Sequence, residues 1–286
     1  MTTDDQSSTV PRRQLGRELR KAREVAGLTV EAAAAALEWS RPKLWRIEKG
    51  TIGMRTLDVK NMCELYGVPK KMRDALMSLA PETRQVAWYH AYSQVPRWFE
   101  LYIGLEGAAE KIQQYAVELV PGLLQTKDYA RAVLLTAPNG GSTDVDQLVE
   151  VRLGRQSRLT DKGMSLDLIL NEAILRRPVG GPAVMAEQLG NLVSMSELPN
   201  VQIRVLQFSA GEHAAMLGSF VILSFPQNME PQTVYQDGAN GAIYHEKPGE
   251  VERYKQQFES IDKVALDRYR SHDLIASAAR EYESVV

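Results

Sequence analysis

The sequence predicts two domains in tandem: an all-α domain of five short helices over residues 14–80, then a mixed α/β (α+β) domain over residues 96–286. Three observations carry this reading. Between residues 15 and 80 apolar residues recur at helical spacing, punctuated by Gly27, Gly50 and Gly67. Beyond Pro81 the pattern turns to alternating or continuous apolar runs, as strands require. Charge divides in the same way. Residues 1–80 hold 15 Lys and Arg against 10 Asp and Glu, and the remainder holds 19 against 26. A chain of 286 residues is also long enough for about two domains.

In chain order, residues 1–13 are expected to form a disordered tail, because the opening MTTDDQSSTVP has no apolar periodicity. Leu15, Leu19, Ala22 and Ala26 then share one face of a first helix, stopped by Gly27. Thr29 caps a second helix with Ala33, Ala34 and Leu37 inward. Ser40 caps a third, with Pro42 in its first turn, where a missing N–H costs least. Leu44 and Ile47 are its inward pair, and Gly50 ends it. Val59, Met62, Cys63 and Tyr66 mark a fourth helix, and residues 70–79 a fifth.

Residues 81–95 read as a linker. In the second domain, strands are expected at 166–170, 201–205, 220–225, 233–236 and 242–244, with a further strand before the Pro121-Gly122 turn. Helices are expected at 127–135, 145–159, 183–195, 251–265 and 274–281. Strand order is not legible.

Composition excludes several classes. With 44% hydrophobic and 24% charged residues, the chain is neither disordered nor fibrous. No apolar run reaches the roughly 18 residues of a membrane span, so no membrane partner is expected. The polar opening residues do not resemble a secretion leader, and the expected location is the cytoplasm, on the nucleoid when bound to DNA. The one cysteine, Cys63, has no partner for an internal disulfide. G-x-S-x-G, Walker, G-x-G-x-x-G and H-E-x-x-H motifs are missing. His90, His213, His245 and His272 are scattered without ligand spacing. No cofactor, no metal and no enzymatic activity are expected.

The segment LTVEAAAAALEWSRPKLWRIEKG (28–50) carries the most specific signal. Two helices joined by a short turn, the second capped by Ser40, make a helix-turn-helix. Such a second helix enters the DNA major groove N-terminus first. Its leading residues are Arg41, Pro42 and Lys43, with Arg46 one turn on, and these are the expected base contacts. Arg and Lys suit the O6 and N7 acceptors of guanine. Lys49 and Arg55 in the following loop, and the helix starts at Thr29 and Ser40, are expected to meet phosphates.

Over residues 14–80 the chain resembles the lambda-repressor-like, or XRE-type, DNA-binding family, with SRPKLWRIEKG close to that family's recognition-helix motif. The resemblance implies a semi-buried ion pair between Arg23 and Glu48. Two departures stand out. Glu38-Trp39 replaces the usual Gly-Val of the turn, and Pro42 replaces a residue that often donates hydrogen bonds.

From residue 88 onward the chain is similar to the large C-terminal domain of actinomycete helix-turn-helix proteins, the antitoxin-like (WhiJ-type) regulators. VPGLLQTKDYARAVL (120–134), RLGRQSRL (152–159), LNEAILRRPVGG (170–181), MAEQLGNL (185–192), PNVQIRVL (199–206) and GEHAAMLGSFVILSF (211–225) carry the likeness. It implies transcriptional control modulated by a ligand or a small partner protein. The alternatives are an antitoxin that neutralises such a partner and represses its own operon, or an enzyme carrying a DNA-binding module. Gln125, Tyr129, Arg152, Arg155, Gln156, Glu172 and His213 are the candidate residues for a ligand or partner site, with structural ion pairs as the competing reading.

Double-stranded DNA is thus the expected partner, read by a homodimer. One helix-turn-helix contacts little DNA, and two-fold dimers reading half-sites about 34–36 Å apart are the usual remedy. The aromatics between Trp88 and Tyr102 suggest that residues after 85 hold the dimer.

Overall fold

A computed structural model describes residues 8–92, 94–136, 144–160, 164–226, 229–238 and 241–285. The chain divides into two compact units. One comprises Met1–Ala91, Ile103–Ala108 and Pro226–Glu230; the other comprises Tyr92–Tyr102, Ala109–Phe225 and Pro231–Val286.

The first unit is built on five helices: α1 (Thr9–Val25), α2 (Val30–Ala36), α3 (Arg41–Glu48), α4 (Thr56–Leu65) and α5 (Lys70–Leu79). Their inward faces meet in one core that includes Leu15, Leu19, Ala33, Leu44, Ile47, Val59, Met62 and Cys63. Gly16 lets α1 and α3 touch backbone to backbone, since a Cβ there would stand 2.4 Å from the Ile47 carbonyl oxygen.

Two expectations need correction here. Residues 9–13, expected in a disordered tail, form the first turns of α1, and Ser8, Val10 and Pro11 are buried. One apolar residue among polar ones has no period, so its burial leaves no mark in the sequence, and Pro11 is tolerated because it lies in the first helical turn. Residues 81–95 are not a free linker. Thr83 is fully buried, accepts a hydrogen bond from Met54 N–H at 2.8 Å and donates to the Ala80 carbonyl at 2.7 Å. Arg12 Nε donates to the Thr83 carbonyl at 2.6 Å, and Tyr89 is buried as well. Small polar residues that satisfy buried backbone groups look like linker by composition.

In the second unit the elements are α6 (Arg97–Ala108, shared with the first unit), β1 (Lys111–Ala116), α7 (Lys127–Leu135), α8 (Val145–Gly154), α9 (Ser157–Thr160), β2 (Ser165–Asn171), α10 (Ala173–Arg176), α11 (Pro182–Ser196), β3 (Val201–Leu206), β4 (Phe220–Ser224), β5 (Thr233–Gly238), β6 (Gly241–His245), α12 (Pro248–Asp262) and α13 (Arg268–Glu283). Their strands form one mixed sheet in the order β3-β2-β1-β4-β5-β6. β1, β2 and β3 run parallel, which requires the helical crossovers between them, and β4, β5 and β6 extend the sheet antiparallel from β1. The expected all-α domain followed by an α+β domain is therefore what the chain forms.

The central strand β1, KIQQYA, is the strand expected before Pro121, but its limits are not legible in the sequence: Gln113-Gln114 interrupts any alternation. The single helix expected over 145–159 is two. α8 ends at Gly154, a poor helix former, and a turn at Arg155 and Gln156 precedes α9. The pleat sorts the sheet's faces. Tyr115, Ile169, Ile222 and Val234 pack with Val251, Phe258 and Ile261 of α12. Gln114 and Ala116 point the other way, into a cavity.

Candidate nucleic-acid interface

The helix-turn-helix is set by three local devices. Thr29 Oγ1 accepts from Ala32 N–H at 3.1 Å and caps α2. Ser40 Oγ accepts from Lys43 N–H at 3.3 Å and caps α3, with Pro42 in its first turn. Between the helices Glu38 adopts φ 55°, the left-handed region, which only glycine enters without steric cost. A non-glycine residue thus bears the strain of the turn.

Leu44 and Ile47 are buried against the core, so α3 presents Arg41, Pro42, Trp45, Arg46 and Lys49 outward. These exposed residues recur at i, i+4 and i+8, one stripe of a helix. Arg41 Nε stands 2.8 Å from Glu31 Oε1 in an exposed pair worth about 0–1 kcal/mol, readily exchanged for a phosphate or base edge. Arg46 Nε donates to the Pro42 carbonyl at 3.4 Å. Lys43 is more restrained, with its ammonium 3.6 Å above the Trp39 ring and 3.9 Å from Asp58. Lys49 is the C-cap of α3 and Arg55 the N-cap of α4, both exposed in the loop region. Trp45, which by its sequence position faces solvent or a partner helix, is 52% exposed and lies on the same stripe as Arg41 and Lys49.

Beneath this face Arg23 and Glu48 form a two-pronged pair, Nε to Oε1 at 2.6 Å and Nη2 to Oε2 at 2.9 Å, with both side chains almost wholly buried. Arg23 also donates to the Leu28 carbonyl at 2.6 Å. The hydrogen bond to Glu48 outweighs burial and holds the guanidinium pKa above its ordinary value. The pair joins α1 to the end of α3 and thereby fixes the pitch of the outward face.

In the second unit the candidate residues separate into groups. Gln125, Arg152 and Arg155 line a cavity of about 500 Å³. Gln156 braces its rim, donating to the carbonyls of Gly122 at 3.0 Å and Gln125 at 2.7 Å. Tyr129 is fully buried beneath it, and its hydroxyl accepts from Val120 N–H. Glu172 is elsewhere, at the start of α10, accepting from Phe208 N–H at 3.1 Å. His213 lies against Tyr115, 3.4 Å from its hydroxyl, on the opposite face of the sheet from Gln114. Sequence reading misses Phe99, Tyr102, Gln114 and Asp237, which also line the cavity. By sequence Asp237 is a turn residue, and only the fold places it on the cavity that Arg152 lines.

Fold and surface together define a helix-turn-helix DNA-binding regulator with an appended α+β domain. The family model described as a helix-turn-helix domain matches residues 14–76, and that described as a domain of unknown function (DUF5753) matches residues 99–277, more than half of the chain. The chain belongs to the DUF5753 family. No curated protein and no solved structure matches it. Among the described residues no helix is long and apolar enough to cross a membrane.

Proposed function

We propose that the protein is a sequence-specific transcriptional regulator of the XRE, lambda-repressor-like type, which reads double-stranded DNA as a homodimer in the cytoplasm. The observation that carries the reading is the outward stripe of α3: Arg41, Arg46 and Lys49 exposed on a helix whose inner side is anchored by Leu44 and Ile47. Long cationic donors on the leading turns of a capped helix are what guanine edges and phosphates require. The second unit, on this reading, is a regulatory module of the WhiJ-type regulators that responds to a ligand or partner and carries out no catalysis.

Selection of bound fragments from a random duplex library, using the full chain, tests the proposal. An enriched motif with two-fold symmetry is expected, and Arg41→Ala should degrade it. Enrichment of no motif at moderate salt would overturn the reading.

A further inference from the structure

The cavity in the second unit lies between the sheet face of Gln114 and Ala116, the Pro121-Gly122 turn and the C-terminal end of α8. Two cations converge there. A Cβ placed on Gly122 would have the Arg155 guanidinium nitrogens at 3.5 and 3.6 Å and Arg152 Cδ at 3.8 Å, so both side chains run across the same turn. Arg152 Nη1 donates to Gln125 Oε1 at 2.5 Å, and Gln125, itself buried, donates to the Val120 carbonyl at 2.6 Å. Arg152 is thus held in place from behind.

The other wall is aromatic. Phe99 and Tyr102 stack at 5.5 Å with 17° between their planes, and Tyr102 meets Tyr235 at 4.2 Å. The Arg155 guanidinium lies 5.1 Å from the Phe99 ring and 5.5 Å from that of Tyr102. Cations and rings therefore line one cavity together, and its volume falls within the range of small-molecule sites. On β5 of the same sheet, Asp237 also lines the cavity. The protein around it pushes its carboxyl above the ordinary range, while Arg152 pulls in the opposite direction.

We infer that this cavity binds a small organic anion, a carboxylate on a flat unsaturated or aromatic body, with the carboxylate toward Arg152 and Arg155 and the flat body against Phe99 and Tyr102. Guanidinium donors arranged as a planar fork match a carboxylate in two-pronged fashion. Asp237, which lines the same cavity, is then the acid whose charge opposes an incoming carboxylate. The inference rests on the regulatory reading of the second unit and names the chemical class of its ligand.

The test uses the full chain without DNA, so that its failure is separable from failure of DNA recognition, which the duplex selection reads alone. Calorimetry with 4-hydroxybenzoate, its amide 4-hydroxybenzamide and inorganic phosphate is the measurement. The acid is expected to bind at least about tenfold more tightly than either the amide or phosphate. Arg152→Gln should weaken the acid by about tenfold, and Asp237→Asn, a surface-accessible replacement, should tighten it several-fold. Opposite signs from two neighbouring variants cannot come from general destabilisation. Equal binding of acid and amide, phosphate binding as tightly as the acid, weaker acid binding by Asp237→Asn, or no binding of the acid at about 10 mM would each overturn the inference.

Discussion

Arg13 and Glu230, 217 residues apart in sequence, meet at 2.6 Å, and the Glu230 carboxylate is wholly buried. Arg17 donates to the same carboxylate at 2.9 Å and to the Met229 carbonyl at 2.9 Å. The helical unit therefore recruits a segment from the connection between β4 and β5, two strands that also line the cavity.

The two sides of this cluster should respond unequally. Arg13→Met with Arg17→Met leaves a buried carboxylate without either guanidinium and should cost about 3–5 kcal/mol. Glu230→Gln leaves two arginines that are 17% and 29% exposed and able to turn to water, so a smaller loss, about 1–3 kcal/mol, is expected. Urea unfolding of the full chain, followed by Trp fluorescence, gives both numbers.

Arg23 and Glu48 make a stricter test of coupling, because both partners are buried. Arg23→Met or Glu48→Gln alone should cost about 3–5 kcal/mol, and the double replacement should cost less than the sum of the two. Additive losses in a double-mutant cycle would show that the two groups act independently.

The Tyr66 hydroxyl is buried and has no hydrogen-bond partner among the described residues, and burial raises its pKa. Tyr66→Phe removes the unpaired group and keeps the ring. It should be neutral or stabilise the helical unit by about 1 kcal/mol, whereas a clear loss in thermal melting would reveal a partner for the hydroxyl.

Glu38 bears a left-handed backbone that costs a side-chain-bearing residue about 1–2 kcal/mol. Against that stands the greater unfolded-state entropy of glycine. Glu38→Gly is expected to raise the melting temperature with a net gain of about 0.5–1 kcal/mol, and Glu38→Val to lower it.

Cys63 is fully buried, and desolvation raises its thiol pKa. The fold thus favours the neutral thiol, and the unfolded chain ionises first as pH rises. Stability from this group is complete below about pH 8.5 and declines above it. Cys63→Ala should remove that part of the alkaline slope in denaturation curves taken between about pH 7 and 10. The native thiol should react with a disulfide reagent only as fast as the unit opens.

On the DNA side, Arg41→Ala or Arg46→Ala should cost about 1–3 kcal/mol and relax specificity at one base pair. Lys49→Ala or Arg55→Ala should weaken all sequences alike and flatten the salt dependence. Binding titrations at several salt concentrations separate the two behaviours.

The features readable in the residues are local. Caps at Thr29 and Ser40, stops at Gly27, Gly50 and Gly67, and the inward pair Leu44 and Ile47 are decided within a few residues, so those helix ends and the outward face of α3 are legible from the residues alone. Features that depend on distant partners are not readable there. Strand order, the central place of the glutamine-bearing β1, the burial of Val10 and Thr83, the grip of Glu230 on α1, and the placing of Asp237 and Arg152 on one cavity all join residues far apart in the chain. The physical reason is that pairing and burial are properties of packed surfaces. A polar residue such as Glu230 or Thr83 carries no periodic mark of the neighbour that will satisfy it.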